Sequence, residues 1–261
     1  MRKRTAFGIN RAVVFALVLR EMRTRFGERR MGAFWMLFEP VAHVVAIMFI
    51  FTVLRGRHLS GFDYPVFLIS GMIPFFLMRN IAFKLMDSIG ANRSLFSYPN
   101  IKIFDTYVAR TIIECALHVC VFVIIAVAMW WIFGYDVSVY RPLALAAILI
   151  VGVAVAFGLG LVLSVITEAM PNSKTFIRIM FMPLYLISGV IVPVWAIPKA
   201  YLEWVLWNPF LYIIDNIRWA YFEHYPVAPE LGMGYPIAVA LVLMVAGLAL
   251  YHLRKRELLA L

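Results

Sequence analysis

Charged residues are scarce in this sequence, and their scarcity excludes most soluble folds. Only 15% of the 261 residues are Asp, Glu, Lys or Arg, whereas 64% are hydrophobic and the mean hydropathy is +0.89. Soluble domains are about 25% charged and about 45–50% apolar. A chain of this length cannot bury so much apolar surface away from water, so we expect lipid around its helices.

Cysteine is nearly absent as well, because Cys115 and Cys120 are the only two. Both lie within one apolar run, where small buried hydrophobic residues are common. Two cysteines at this spacing predict neither a disulfide framework nor a zinc site. We therefore expect no metal site in this chain.

Catalytic motifs are also missing. There is no G-x-x-x-x-G-K-[ST] phosphate-binding loop, and Ser70 and Ser188 precede glycines without forming a G-x-S-x-G elbow. Glu114 and His118 share one helical face but lack the second histidine of an H-E-x-x-H zinc site. We expect this pair to serve helix packing or pore lining, and we expect no enzymatic activity from this chain.

Long apolar runs, in contrast, are abundant. A helix that spans about 30 Å of hydrocarbon needs about 20 mainly apolar residues. The segments that meet this requirement are 33–54, 64–86, 108–133, 142–166, 176–197 and 234–252. They predict an all-α integral membrane protein, in which residues 32–261 form a domain of six transmembrane helices and residues 1–31 precede it.

The basic residues are distributed unevenly between the two predicted sides. Of the 24 lysines and arginines, nineteen fall on the side that holds both termini. Because cytoplasmic loops carry an excess of Lys and Arg, both termini are expected to be cytoplasmic. This excess also accounts for the net charge of +10, and we expect no nucleic acid as a partner.

A cluster of arginines precedes the first apolar run. It consists of Arg20, Arg23, Arg25, Arg29 and Arg30. The apolar stretch before it, residues 12–19, makes about 12 Å of helix, which is too short to cross a bilayer. The combination is typical of an amphipathic helix that lies in the interface, with its cations at anionic headgroups. The alternative is that the charges only orient the first crossing.

Aromatic residues crowd the outer connection between the fifth and sixth crossings. Two apolar pieces, 199–207 and 209–223, are interrupted by proline and charge and are too short to span easily. We expect a re-entrant helical hairpin before the last crossing. Its rings form either an interfacial aromatic belt or a surface on which sugars stack.

The loop between the second and third crossings, residues 87–110, contains Leu95 and Phe96 beside polar residues. If a short helix presents these two side chains to the cytoplasm, they form an exposed apolar patch of the kind that docks a partner. The alternative is an amphipathic connector that rests on the bilayer.

A short repeat links two of the crossings. F-L-I-S-G-M-I-P occupies 67–74 and Y-L-I-S-G-V-I-V-P occupies 185–193. Glycine allows helices to approach closely and proline kinks them, so local convergence explains the repeat. An inverted repeat, typical of ion-coupled secondary transporters, is the alternative.

Two motifs resemble those of polysaccharide-exporting permeases of type-2 ABC transporters. Gly32, Trp35 and Pro40 form G-x-x-W-x-x-x-x-P after a basic helix, and L-F-S-Y-P-N-I-K-I-F-D-T-Y-V-A-R resembles the cytoplasmic loop of the family. The length, the six crossings and the aromatic hairpin agree, so residues 1–261 are identified as one transmembrane domain of this kind. Glu39 before Pro40 favours the capsular branch over the O-antigen branch.

The resemblance implies a permease subunit in the bacterial inner membrane, which moves lipid-linked capsular polysaccharide from cytoplasm to periplasm. Membrane lipids would contact its helices. Two copies would form a homodimer and pair with two ATPase subunits, which carry the ATP and Mg²⁺, so this chain itself holds no cofactor. A periplasmic co-polymerase and an outer-membrane exporter are further expected partners.

The resemblance also implies roles for particular residues. A coupling helix that fits a groove on the ATPase would comprise Gly90, Ala91, Asn92, Arg93, Ser94, Leu95 and Phe96. The five arginines of the N-terminal cluster would meet the phosphate of the lipid linker at the substrate entrance. The aromatic residues of the glycan path or exit would be Trp35, Phe38, Tyr185, Trp195, Tyr201, Trp204, Trp207 and Trp219.

Two alternative functions remain open from the sequence. The first keeps the architecture but exports O-antigen, teichoic acid, lipid or drug. The second is an ion-coupled secondary transporter, which only the short repeat supports.

Overall fold

The computed structural model describes residues 6–27, 32–50, 62–98 and 101–260, and every regular element in these ranges is a helix. This confirms the all-α prediction. In chain order the elements are α1 (Ala6–Gly27), α2 (Gly32–Phe49), α3 (Tyr64–Met86), α4 (Ser88–Ala91), a 3-10 turn (Arg93–Leu95), α5 (Ile103–Phe133), α6 (Pro142–Ala169), α7 (Ser173–Ile187), a second 3-10 turn (Val194–Ala196), α8 (Lys199–Leu202), α9 (Pro209–Tyr221) and α10 (Gly234–Ala260).

Four of these helices are long and apolar enough to cross a membrane. They are α3, α5, α6 and the part of α10 from Gly234 to Arg254. They coincide with the second, third, fourth and sixth predicted crossings. The predicted first crossing begins with α2 and continues into residues 51–54, which lie outside the described residues.

The predicted fifth crossing, 176–197, is only partly helical. Helix α7 ends at Ile187 after 15 residues, which make about 22 Å. It ends there because Gly189 adopts a left-handed conformation, with φ of 72°, and Pro193 follows shortly after. A count of six crossings therefore stays a prediction.

Helix α3 lies at the centre of the bundle, where α5, α6 and α9 pack around it. Its apolar window is 78% buried, whereas that of α10 is only 22% buried. Since α10 leaves so much apolar surface uncovered, this helix has room to face lipid or another subunit.

Close approach of backbones joins α6 to its two neighbours. A β-carbon added at Gly160 would lie 2.7 Å from Leu85 Cβ on α3, and one at Gly158 would lie 2.9 Å from Leu243 Cβ on α10. Real side chains do not come so close, so these positions need glycine. Small residues at helix contacts are typical of membrane bundles.

Helix α1 is confirmed as a helix and packs along α5. Phe15, Leu19 and Met22, which share one face by their spacing, are all exposed, whereas Leu17 is buried. An outward apolar stripe beside basic residues fits a helix lying at a membrane surface. Its position in the interface stays a prediction.

Helices α8 and α9 lie within the two pieces of the predicted hairpin, 199–207 and 209–223. Helix α9 begins at Pro209, and its N-cap residue Asn208 accepts a hydrogen bond from the Phe210 N–H at 3.0 Å. It packs against α3 and α6 and ends where the Tyr221 hydroxyl donates to the Val137 carbonyl at 2.7 Å. Each piece thus contains a helix, although α8 covers only Lys199–Leu202, and the re-entrant hairpin stays a prediction.

Candidate functional site

A polar cavity of about 590 Å³ lies where α1, α2, α3, α5 and α7 meet. We call it the basic cavity. Its lining residues are Arg25, His43, Phe76, Arg79, Asn80, Phe83, Lys84, Asp87, Glu114, Leu117, His118, Val121 and Arg178.

The last turns of α3 supply one wall of the basic cavity. Asn80 and Asp87 are seven residues apart, and Phe83 and Lys84 lie three or four residues from each of them, which places all four on a single face of the chain. The opposite face of the same turns, with Ile81 among its residues, is buried in the core. The spacing of these residues can be read from the sequence. The second crossing is otherwise apolar, however, so the spacing alone did not identify a polar face.

Positive charge predominates in the basic cavity. Among the residues that the structure describes, the charged lining residues are four cations, Arg25, Arg79, Lys84 and Arg178, and two carboxylates, Asp87 and Glu114. Each carboxylate already has a cationic partner from the same lining, since Arg25 Nη1 lies 2.6 Å from Glu114 Oε1 and Arg178 Nη2 lies 2.6 Å from Asp87 Oδ2. The described part of the lining therefore carries more cations than carboxylates.

Aromatic and amide groups surround these charges. The Arg79 guanidinium lies over the Phe76 ring, 4.6 Å from its centroid, and donates to Asn80 Oδ1 at 3.2 Å. The His43 ring meets the edge of Phe76 with centroids 5.0 Å apart. Cations beside ring faces and amides can bind a polar, negatively charged ligand.

The pair Glu114 and His118 holds the wall of α5 together. His118 Nδ1 lies 2.8 Å from the Glu114 carbonyl oxygen, and His118 Nε2 lies 3.4 Å from Asn80 Nδ2. The carboxylate of Glu114 faces Arg25 of α1 instead. These contacts give both residues a packing role at the edge of the cavity, as the sequence predicted.

A second feature is the segment of residues 87–98, which contains residues 90–96, the stretch that the resemblance assigns to ATPase coupling. It includes α4 and the first 3-10 turn, and we call it the coupling segment. Ser88 Oγ lies 2.8 Å from Thr106 Oγ1 of α5, and Asn92 Oδ1 accepts a hydrogen bond of 3.1 Å from Arg20 of α1.

Two ion pairs extend these connections. Arg93 bonds Glu168 at the end of α6, and Asp87 bonds Arg178 of α7 at 2.6 Å with Lys174 at 3.7 Å. Polar contacts thus tie the coupling segment to α1, α5, α6 and α7. A force applied to it would be transmitted to all four helices.

The sequence predicts that Leu95 and Phe96 form an exposed apolar patch, and the structure differs from this expectation. Leu95 and Phe96 are only half-exposed, and Phe96 packs against the hydrophobic core. Tyr98 is instead the large exposed side chain, with 61% of its surface accessible. Of the other predicted residues, Asn92 is buried, and those exposed are Gly90, Ala91, Arg93 and Ser94. Their role in ATPase coupling stays a prediction.

The N-terminal arginines have different surroundings. Arg20 donates to Asn92, and Arg25 bonds both Glu21 and Glu114. Arg23 is exposed on α1. The remaining two, Arg29 and Arg30, lie outside the described residues. Arg20 and Arg25 therefore fasten α1 to the bundle, and recognition of a cargo headgroup by the cluster stays a prediction.

The predicted glycan-path residues fall into separate groups. The exposed members around α8 are Trp195, Tyr201, Trp204 and Trp207. The chain just before them lies at the start of α3, where the Tyr64 hydroxyl donates to the Ile191 carbonyl, whereas the coupling segment follows the end of α3. Tyr185 lies inside instead, where its ring stacks on Phe76 with centroids 5.7 Å apart.

The other three members of this set have distinct positions. Trp219 is half-buried beneath the Arg141 guanidinium, 4.6 Å from its ring centroid. Trp35 and Phe38 lie one turn apart on α2, where Phe38 is 42% exposed. Their assignment to one path stays a prediction.

Arg218 is a buried residue to which the sequence analysis assigns no role. It is completely buried, and its guanidinium donates to the carbonyls of Gly189 at 2.5 Å and Val190 at 2.6 Å. It also stacks on the Phe67 ring at 3.5 Å from the centroid, and a β-carbon at Gly71 would lie 2.5 Å from its Nη2. Both Ser-Gly pairs of the L-I-S-G repeat therefore meet at one guanidinium.

Comparison with known proteins shows which family and which proteins this chain is similar to. Residues 12–222 match the family described as ABC-2 type transporter. Polysialic acid transport protein KpsM of Escherichia coli is 33% identical over 257 residues, which cover 98% of each chain. Capsule polysaccharide export inner-membrane protein CtrC of Neisseria meningitidis serogroup B is 29% identical over 252 residues, covering 94% of this chain and 92% of that protein. Capsule polysaccharide export inner-membrane protein BexB of Haemophilus influenzae is 27% identical over 248 residues, with the same coverage.

Proposed function

Because the chain belongs to the ABC-2 type transporter membrane family, we propose that it is the permease subunit of an ATP-driven exporter of lipid-linked capsular polysaccharide. The observation that carries the proposal is similarity along nearly the whole chain to relatives named for polysialic acid transport and capsule polysaccharide export. These names favour capsular polysaccharide over O-antigen, teichoic acid, lipid or drug as the cargo.

Energy would come from a separate protein. The sequence has no phosphate-binding loop for ATP, so two ATPase subunits, with their ATP and Mg²⁺, would act on a pair of permeases. The coupling segment is the natural point of attachment, because its polar contacts reach four helices. A movement of the ATPase would then reposition the walls of the basic cavity.

The proposed arrangement has six crossings, with α2 and α7 completing the four long spans. Both termini and the coupling segment face the cytoplasm, as the distribution of basic residues favours. The α8–α9 hairpin is re-entrant from the periplasmic side, where its exposed rings offer a stacking surface to emerging sugars. A periplasmic co-polymerase and an outer-membrane exporter would receive the polymer.

Deletion of the gene in its native host tests the cargo. We expect capsular glycan to disappear from the cell surface and to accumulate in the cytoplasm, and a plasmid-borne copy should restore it. The measurement is surface and intracellular glycan after separation of the membranes. Normal surface glycan in the deletion strain would contradict capsule export.

Association with the ATPase tests the coupling segment. Tyr98→Asp places a charge at the most exposed aromatic ring of that segment and should reduce copurification of the ATPase by at least about tenfold. Tyr140→Asp is the matched control, since Tyr140 is 52% exposed at the opposite end of α5. Equal recovery of the ATPase with both variants would remove the coupling role.

A further inference from the structure

A second cavity, lined almost wholly by apolar side chains, lies among α3, α5, α6 and α9. We call it the apolar cleft. Its volume is about 110 Å³, and its lining residues are Ile69, Ser70, Ile73, Pro74, Leu77, His118, Val119, Phe122, Leu145, Leu149, Ile217 and Tyr221. Apolar cavities of this order exclude water and accept hydrocarbon instead.

The cleft is present because two consecutive spans flank α3 without closing over it. Helix α3 packs closely against both α5 and α6, whereas these two helices, over their described lengths, do not pack closely on each other. They meet near the coupling segment, where the Tyr107 hydroxyl lies 2.8 Å from Ser164 Oγ. Farther along, Ser70 and Pro74 of α3 line the gap, and Val119, which is 61% exposed, stands at its mouth. The cleft is therefore open toward lipid.

The position of the cleft along the spans matches the hydrocarbon of one leaflet. With a rise of 1.5 Å per residue, Ile69 to Leu77 lie about 8–20 Å from the first residue of α3, and Leu145 to Leu149 lie about 5–10 Å from the first residue of α6. Because the coupling segment follows the other end of α3, these depths fall mainly in the leaflet farther from it. In the proposed arrangement this is the periplasmic leaflet.

A polar cavity adjoins the cleft, because Tyr221 lines both of them. We call it the carboxylate cavity. Its volume is about 220 Å³, and its lining residues are Phe62, Asp63, Asp136, Ser138, Tyr140, Tyr221, Phe222 and Glu223. The described lining contains three carboxylates and no lysine or arginine. Carboxylates beside aromatic rings are complementary to an ammonium group.

The carboxylate cavity lies at the level of a lipid headgroup. Asp63 immediately precedes α3, Asp136 follows the end of α5, and Tyr140 precedes α6, so all three mark the ends of membrane spans. The guanidinium of Arg141 stacks on the Tyr140 ring, 4.6 Å from its centroid, and adds a cation beside the cavity. Carboxylates with a neighbouring cation complement a zwitterionic headgroup better than an anionic one.

We infer that the apolar cleft and the carboxylate cavity together hold one molecule of phosphatidylethanolamine. One acyl chain fills the cleft between α5 and α6, and the ammonium group lies among Asp63, Asp136 and Glu223. Hydrocarbon gains little by leaving other lipid, so the headgroup decides which lipid binds. Because the three carboxylates are exposed, each contributes only modestly and the preference is shared among them.

Native mass spectrometry of the full chain, purified in detergent and stripped of lipid, tests the inference. The probes are dioleoyl phosphatidylethanolamine and dioleoyl phosphatidylglycerol, titrated separately. We expect the Kd of phosphatidylethanolamine to be lower by at least about fivefold. Equal Kd values for the two lipids would overturn the inference. Equally tight binding of dioleoylglycerol, which has no charged headgroup, would overturn it as well.

Val119→Trp tests the apolar cleft. A large ring at the mouth should block an acyl chain and raise the Kd of phosphatidylethanolamine by at least about tenfold. Val123→Trp is the matched control, because Val123 is 50% exposed one turn further along α5 and lies outside the described lining. An unchanged Kd in Val119→Trp would overturn the site. Lipid-free wild-type dimers that Val119→Trp converts to monomers would also overturn it, since a second copy would then cover the cleft.

Asp63→Asn combined with Glu223→Gln tests the carboxylate cavity. The ratio of the two Kd values should fall to about twofold or less, because two of the three carboxylates are gone. Glu230→Gln removes an exposed carboxylate outside the described lining and should leave the ratio unchanged. A wild-type ratio in the double variant would overturn the ammonium site. Each of these failures would leave capsule export, tested by gene deletion, intact.

Discussion

Arg218 shows how much one side chain contributes to this bundle. Helix α7 ends at Ile187, and its last carbonyls carry the negative end of the helix dipole. The guanidinium of Arg218 satisfies the carbonyls of Gly189 and Val190 just beyond that end, while it rests on Phe67 of α3. One buried cation thus holds α3, α7 and α9 together.

Substitution of Arg218 should therefore cost more than most single changes. Arg218→Met should destabilise the protein by roughly 2–4 kcal/mol, because three hydrogen bonds from a charged donor are lost. Arg218→Lys should give an intermediate value, since an ammonium reaches fewer carbonyls in this geometry. Thermal unfolding in detergent, followed by tryptophan fluorescence, measures both.

Arg11→Met is the matched control for these variants, because Arg11 is exposed on α1. Its unfolding midpoint should equal that of the wild type. A wild-type midpoint for Arg218→Met would show that the buried guanidinium does not stabilise the bundle.

At the level of elements, glycine sets the distance between α6 and its neighbours. Gly158 faces the α10 backbone, since a β-carbon there would lie 3.0 Å from the Met244 nitrogen. Gly247 of α10 returns the contact, with its β-carbon position 2.6 Å from Leu161 Cβ. Because backbone atoms cannot rotate away as side chains do, any larger residue must separate the two helices.

A methyl group at Gly158 should consequently destabilise the protein. Gly158→Ala is expected to lower stability by about 1–3 kcal/mol, the usual cost of overpacking. Gly234→Ala at the start of α10 has open space around the added carbon and should be neutral or slightly stabilising. Unfolding midpoints of the two variants make the comparison, and equal midpoints would contradict the glycine-mediated contact.

The whole molecule combines a cavity, a coupling segment and an exposed aromatic surface without any ATP-binding motif of its own. In the proposed function, the free energy for transport comes from an ATPase partner. The largely uncovered surface of α10 and the exposed residues of α7 fit a chain that functions within a larger assembly.

Transport should therefore require the ATPase partner. Proteoliposomes that contain this chain alone should accumulate no lipid-linked glycan against a gradient, whereas the same vesicles with the ATPase and MgATP should do so. The measurement is glycan protected from an added glycosidase. A non-hydrolysable ATP analogue is the control, and uphill accumulation by the chain alone would contradict the dependence on a partner.

The helices of this protein follow almost directly from its residues. Four predicted crossings match the observed spans within a few residues, because a run of apolar side chains in lipid has one inexpensive conformation, the helix. The clustering of arginine before Gly32 likewise anticipated the separate helix α1. The motif of Gly32, Trp35 and Pro40 then pointed to the family that the comparisons support.

Contacts between distant residues were decided only by the tertiary structure. The residues that form the basic cavity come from positions as far apart as Arg25 and Arg178, and no local pattern relates them. The meeting of Gly71 and Gly189 at Arg218 is equally invisible along the chain, since it depends on where α9 lies across α3. Local sequence governs the backbone of each helix, whereas the partners of its polar side chains depend on how the helices pack.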